Sequence, residues 1–214
     1  MTKPPVVSRR ELAVLGGLLG VGTVAILAAR RLAPLGPVVG MTPVVAAIYA
    51  DRQAPVGGNP RGDVTLFVWT DFNCPACRRS HPDMLAAVQA DGGTRLVYRD
   101  WPIFGQESEA AARHAIAAAR QGLYAAVHDR LMQGGRANAG AAEAATAAAG
   151  GSVERLRADV VALAPVMDAM LARHAREAFA LGLGGTPGHM VGTILLKGAR
   201  PERDFARAIR LARG

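Results

Sequence analysis

Hydrophobic and polar positions divide the chain into an apolar opening, a Pro- and Gly-rich passage and a long region of mixed period. From Leu12 to Ala29 run 18 residues without a charge, bounded by Arg9-Arg10 and Arg30-Arg31. That length sits at the lower end of what spans a bilayer as a helix, about 17–25 residues. It exceeds the apolar core of a cleaved signal, about 7–15 residues. No small-x-small cleavage pattern follows, because Leu27, Arg30, Arg31 and Pro34 stand in the wrong places. Residues 1–31 are therefore read as a membrane anchor or export signal, with anchoring in the inner membrane through residues 12–29 preferred. The rest of the chain is then expected outside the cytoplasm.

Residues 32–61 are rich in Pro, Gly and Val and read as a linker leading into a domain over 62–214. Val64 to Thr70 (Val-Thr-Leu-Phe-Val-Trp-Thr) is a nearly continuous β-branched and aromatic run, the signature of a strand buried on both faces. A helix is expected from Cys74-Pro75 through about Ala90, because proline suits a first helical turn. Arg95 to Asp100 reads as the next strand, closed by Trp101-Pro102. From Glu107 to Ala180 the sequence is helix-forming and broken at Gly134-Gly135 and Gly150-Gly151, which marks a helical insertion over about 104–181. Residues 188–191 and 194–197 form a hairpin turning at Gly192-Thr193. A final helix over 201–212 shows Phe205, Ile209 and Leu211 as its apolar side. The order is that of an α/β domain: strand, helix, strand, helical block, hairpin, helix.

The net charge of +8 changes little. Residues 1–31 carry Lys3, Arg9, Arg10, Arg30 and Arg31 against Glu11, which leaves only +4 for the rest of the chain. No basic run with interleaved aromatics accompanies it, so nucleic acid is not an expected partner. Lys3 and Lys197 are the sole lysines; the preference for arginine is that of a GC-rich genome.

Cys74 and Cys77 are the only cysteines, so no disulfide framework staples the fold. Zinc would require two more ligands. The histidines at 81, 114, 128, 174 and 189 form no pair at ligand spacing, so no metal is expected and His81 is read as a solvated helix residue. A Cys-x-x-Cys at a strand-to-helix junction instead supplies thiol–disulfide exchange, in which one thiolate attacks and a second thiol resolves the mixed disulfide. Helix-start N–H groups and the helix dipole favour a negative sulfur. Cys74 is accordingly read as the nucleophile, the more exposed and more acidic thiol, and Cys77 as the resolving thiol. The redox-active disulfide Cys74–Cys77 serves in place of a cofactor.

Ala54-Pro55-Val56-Gly57-Gly58-Asn59-Pro60, the strand after it and Asp71-Phe72-Asn73-Cys74-Pro75-Ala76-Cys77 resemble the DsbA-like branch of the thioredoxin superfamily. So do Pro82, Tyr98-Arg99-Asp100-Trp101-Pro102-Ile103, Gln121-Gly122-Leu123-Tyr124, His128-Asp129-Arg130-Leu131 and Gly185-Thr186-Pro187, and the resemblance spans about residues 54–212. It implies a thioredoxin-like α/β fold with a helical insertion and a periplasmic or other extracytoplasmic oxidoreductase. Its substrates would be exported proteins with thiols or disulfides, and a membrane redox partner would recharge the dithiol. It implies supporting roles for Pro75, Ala76, Thr186 and Pro187, with a cis Thr186–Pro187 bond that exposes the Thr186 backbone to a substrate strand. Ser8-Arg9-Arg10-Glu11-Leu12 further resembles a twin-arginine export signal, although Ala13 and Val14 depart from it.

Two departures weaken the expected oxidising strength. Val68 stands where many relatives carry a buried acid, and Ala76 where strongly oxidising relatives have histidine. Arg78 and Arg79 could partly stabilise the thiolate in its place but are read first as solvated helix charges, and Asp71 is read as a cap or turn residue rather than a catalytic one. Oxidation of exported proteins is the leading expectation. The alternatives are a reductase or isomerase driven by a membrane electron donor, and a copper chaperone holding the soft ion on both thiolates.

Overall fold

The computed structural model describes residues 33–214, so segment 12–29 and the anchor expected there lie outside the described residues. Among the described residues no helix is long and apolar enough to cross a membrane.

The sheet is built outward from Val64–Thr70 (β2), whose side chains alternate between two apolar layers. Leu66 and Val68 face one layer, while Phe67 and Trp69 face the other. Thr94–Asp100 (β3) runs parallel beside it, with Val68 opposite Tyr98 and Thr70 opposite Asp100. Val56–Gly58 (β1), Gly188–Val191 (β4) and Ile194–Lys197 (β5) complete a sheet ordered β1-β3-β2-β4-β5. Every pairing other than β2 with β3 is antiparallel.

Before β1, Pro43–Ala50 forms a helix (α1). Pro75–Asp91 (α2) follows β2, and Gly92 ends it in the left-handed region at φ 66°. Glu202–Arg213 (α8) closes the chain and packs beside α2 on the Leu66–Val68 face. Its buried positions are Phe205, Ala208 and Ile209, one helical stripe. Leu211, expected on that stripe, is two positions out of phase and 55% exposed.

Between β3 and β4 the insertion folds as Gln106–Ala118 (α3), Tyr124–Gln133 (α4), Ala139–Ala148 (α5), Val153–Ala162 (α6) and Ala164–Ala180 (α7). The two glycine pairs do break it, and Gly122, at φ 72°, provides a further break. Buried alanines at 111, 112, 115, 117 and 118 line α3, so neighbouring helices approach with little side chain between them. Tyr124 fastens the insertion to the sheet, its hydroxyl donating to both carboxyl oxygens of Asp100 at 2.9 Å.

Residues 32–61 correct the expectation of a linker, since from Leu35 onward the chain belongs to the same compact unit as the sheet. Thr42 caps α1 by accepting from Val45 N at 3.3 Å, and Pro43 opens it. Val45 and Ile48 are fully buried on the Phe67–Trp69 face. An eight-residue helix with two apolar anchors carries too short a period to be read in a Pro- and Gly-rich stretch. Its fastening is also non-local. Arg99, on β3 and fully buried, donates to Ile48 O at 2.7 Å, pairs with Asp51 and lies 3.6 Å from Glu177 of α7. Arg173 reaches Asp51 at 3.1 Å.

Removing one member of a buried ion pair strands its partner, at a cost of about 3–5 kcal/mol. Arg99→Met should therefore lower the urea-unfolding free energy by about that amount; a loss below about 1 kcal/mol would show that the network does not hold α1. A second expectation concerns Asp100, whose carboxyl burial pushes up from 3.8 to about 7. The fold favours its neutral form, so the stability it lends is complete below pH 3.8 and is lost as pH rises through 7. Asp100→Asn removes that dependence. Across pH 4 to 7 its stability relative to the parent should rise, by up to about 1.4 kcal/mol per pH unit, and should level off above. A difference that does not vary with pH would refute the assignment.

Candidate active site

β2 delivers the chain into a tight turn, where Cys74 N donates to Asp71 O at 3.2 Å. Cys74 then takes the N-cap position of α2 with extended backbone (φ −75°, ψ 117°), and Pro75 begins the helix. The cap is a sulfur: Cys74 Sγ accepts from Cys77 N at 3.3 Å. An amide that the helix leaves without a partner is thereby satisfied by a group able to carry negative charge.

This environment separates the two thiols. Cys74 is lowered from 9.0 to about 6, foremost by the hydrogen-bonding thiol of Cys77, with further contributions from Thr186 and the backbone N–H groups of Cys77 and Ala76; burial opposes the shift. Burial pushes the Cys77 thiol far up, and the charge on Cys74 adds to the effect. The expected difference in exposure is absent, however, because both residues are only 2% exposed. Thr186 is what covers Cys74: in its thiol form Cys74 donates to Thr186 O at 3.3 Å. Acidity, and not accessibility, distinguishes the pair.

Thr186 and Pro187 join them from the loop before β4. The Thr186–Pro187 peptide bond is cis. The Thr186 hydroxyl oxygen is buried and has no hydrogen-bond partner among the described residues. Pro75 is exposed and Ala76 half-buried at the helix start. Val68 packs in the same apolar layer as both cysteines, so no acid stands at that place.

Around this centre lies a frame that sequence reasoning missed. Asp71 is a fully buried latch. Its Oδ1 accepts from Asn73 N (2.7 Å) and the Ser108 hydroxyl (2.8 Å), and its Oδ2 from the backbone N–H groups of Ile103 (2.6 Å) and Phe104 (2.9 Å). The bond to Asn73 N is the turn role expected of it, whereas the three longer-range bonds have no local signal. Asn73 reaches across to Ala137, accepting from its N–H at 2.8 Å and donating to its carbonyl at 2.9 Å. Arg78, read first as a solvated helix charge with some help for the thiolate as the alternative, is instead committed to carbonyls: Nε to Phe72 O and Nη2 to Gly135 O, both at 2.6 Å, and Nη1 to Gly134 O. Arg79 is exposed. His81 corrects another expectation. It is 4% exposed and its Nε2 lies 3.0 Å from Asp129 Oδ1, because α4 packs over that side of α2. Burial outweighs the aspartate and lowers its pKa.

Residues 51–210 match the family model described as Thioredoxin. Among solved structures, a thioredoxin-like oxidoreductase from Silicibacter pomeroyi DSS-3 is 40% identical with a TM-score of 0.73, covering 78% of this chain and 96% of that one. The thiol-disulfide exchange protein alpha-DsbA2 from Wolbachia pipientis shares the fold at 23% identity and a TM-score of 0.70, over 75% of this chain and 88% of that one. Over 113 residues, 49% of its length, the chain is also 32% identical to the Na(+)/H(+) antiporter NhaA 3 of Salinispora tropica, of which it spans 17%. With the family model covering most of its length, the chain belongs to the thioredoxin superfamily, as a thiol–disulfide oxidoreductase with the DsbA-like fold.

Proposed function

We propose that the chain is an extracytoplasmic oxidase that passes the Cys74–Cys77 disulfide to exported proteins. The observation that carries this reading is the sulfur cap, Cys74 Sγ accepting from Cys77 N at 3.3 Å at a helix start, an environment that draws Cys74 down to about 6 while burial pushes Cys77 the other way. At neutral pH the reduced protein then holds one sulfur as a stabilised thiolate. Stabilising the reduced form makes a dithiol a stronger oxidant. The apolar segment 12–29 and the resemblance to exported oxidoreductases support a place outside the cytoplasm, tethered to the inner membrane.

In the forward step a substrate thiolate attacks Cys74 Sγ of the disulfide. The Cys74–Cys77 bond breaks, a substrate–Cys74 bond forms, and Cys77 leaves and takes a proton, as its raised pKa requires. A second substrate thiolate attacks the first substrate sulfur, and Cys74 departs as a thiolate. A sulfur of low pKa is the better leaving group, so this release is favoured. The substrate gives up two electrons and two protons; Cys77 keeps one proton and solvent takes the other. A membrane partner that accepts two electrons would restore the disulfide. Catalysis is thus assigned to Cys74 and Cys77, with Pro75, Ala76, Thr186 and Pro187 shaping their surroundings.

Ultraviolet titration of the reduced protein should reveal one thiolate forming with a midpoint near pH 6. That transition should vanish in Cys74→Ser and persist in altered position in Cys77→Ser, which removes the donating thiol. A midpoint above 8 would remove the basis for the oxidising direction. Expressed in cells of an organism that exports proteins, Cys77→Ser should accumulate mixed disulfides through Cys74, and mass spectrometry should identify exported proteins among them. Attachment to cytoplasmic proteins alone would overturn the assigned location.

A further inference from the structure

Two exposed apolar side chains stand on the loop after β3, whose backbone is fixed to the turn that precedes Cys74. Ile103 and Phe104 are 45% and 50% exposed, yet both backbone N–H groups are held by Asp71, three residues before Cys74. Ile103 Cδ1 also lies 4.0 Å from where a Cβ would sit on Gly185, in the loop carrying Thr186 and Pro187. Ile103 therefore lies next to both segments that frame Cys74, and Phe104 follows it on the same Asp71-held loop.

Next to Phe104 opens a groove of about 390 Å³ lined by Asn73, Arg78, Phe104, Gly134, Gly135 and Arg136. Its walls are preset by the bonds from Asn73 to Ala137 and from Arg78 to Gly134 and Gly135. Gly135 adds no side chain, and a Cβ there would meet open space. The groove is also positively charged. A guanidinium has five N–H donors; three of those on Arg78 go to neutral carbonyls, and none reaches a carboxylate among the described residues. Arg136 pairs with Glu107, but its side chain is 76% exposed and such a pair is weak in water.

We propose that this groove receives the polypeptide flanking a substrate cysteine, with an aliphatic or aromatic side chain against Ile103 and Phe104 and a carboxylate facing Arg78 and Arg136. The proposal rests on the reading of Cys74 as the atom that meets the substrate sulfur. Asn73, adjacent to Cys74, lines the groove, so at about 3.3–3.6 Å per extended residue the recognised positions lie within a few residues of the substrate cysteine. A preset groove also spares the ordering that a flexible one would require.

The test uses reduced peptides of one length, each with a single cysteine flanked by Phe and Asp, Phe and Lys, or Ser and Asp, with glutathione as common reference. Rates of mixed-disulfide formation with the oxidised protein are measured by acid quench and mass spectrometry. Relative to glutathione, the Phe/Asp peptide should react fastest. Phe104→Ser should reduce its advantage over Ser/Asp by about fivefold, a fraction of what burying a whole Phe side chain provides. Arg136→Gln, which leaves Glu107 at the rim, should reduce the advantage of Phe/Asp over Phe/Lys by about threefold, and added salt should do the same. If either ratio is the same in variant and parent, the groove is not the recognition site. If the parent reacts with no peptide and not with glutathione, the oxidoreductase reading fails first, and the two failures are distinguishable.

Discussion

A helix begins with N–H groups that no residue of the helix can satisfy, and here a cysteine sulfur meets that need. Because Cys74 Sγ accepts from Cys77 N, the interaction that starts α2 is strongest when the sulfur is charged. Structure and chemistry are therefore one bond. The same geometry sets the second thiol one turn inward, where burial keeps it protonated. Two identical side chains three positions apart thus acquire opposite tendencies from the position of a helix end.

The turn before the helix decides whether that geometry is reproducible. It lies at the end of β2, between an apolar sheet and an insertion of five helices, and could otherwise vary in direction. Asp71, Asn73 and Arg78 prevent this by reaching three separate segments: the loop after β3, the start of α3 and the loop after α4. All three are long-range bonds from residues within four positions of a cysteine. The insertion is in this sense a brace for the thiol pair, and its own attachment through Tyr124 reaches Asp100, opposite Thr70 at the C-terminal end of β2. The cationic groove beside Phe104 follows from this bracing, since Arg78 lends its donors to carbonyls and retains its charge.

Much of the sheet and of the thiol turn was legible in the amino-acid sequence, whereas the bracing was not. The strand 64–70 is a β-branched and aromatic run and the hairpin 188–191 with 194–197 turns at a glycine, signals that depend on neighbours in sequence, and both appear at those residues. The Cys-Pro-Ala-Cys turn is equally local. What stayed hidden depends on contacts between distant segments. α1 is held by Asp51 and Arg99, far apart in the chain. His81 reads as a polar residue on a helix surface until α4 covers it. Arg78 resembles a free cation until its three carbonyl partners are known. Cys74 follows the rule for acidity but not for exposure, because the Thr186 loop that covers it comes 112 residues later.

The central claim is that the fold stabilises a thiolate at Cys74, and a comparison of the two redox states tests it most directly. Urea unfolding of the reduced and oxidised protein, followed from pH 9 down to pH 5, yields the difference in their stability. A thiol lowered from 9.0 to about 6 stabilises the reduced fold fully above pH 9, and that contribution is lost as pH falls through 6. The account requires a reduced form more stable than the oxidised one at pH 8, with an advantage that declines toward pH 6 and then levels off. An oxidised form that is the more stable at every pH, by a margin that does not change, would contradict it.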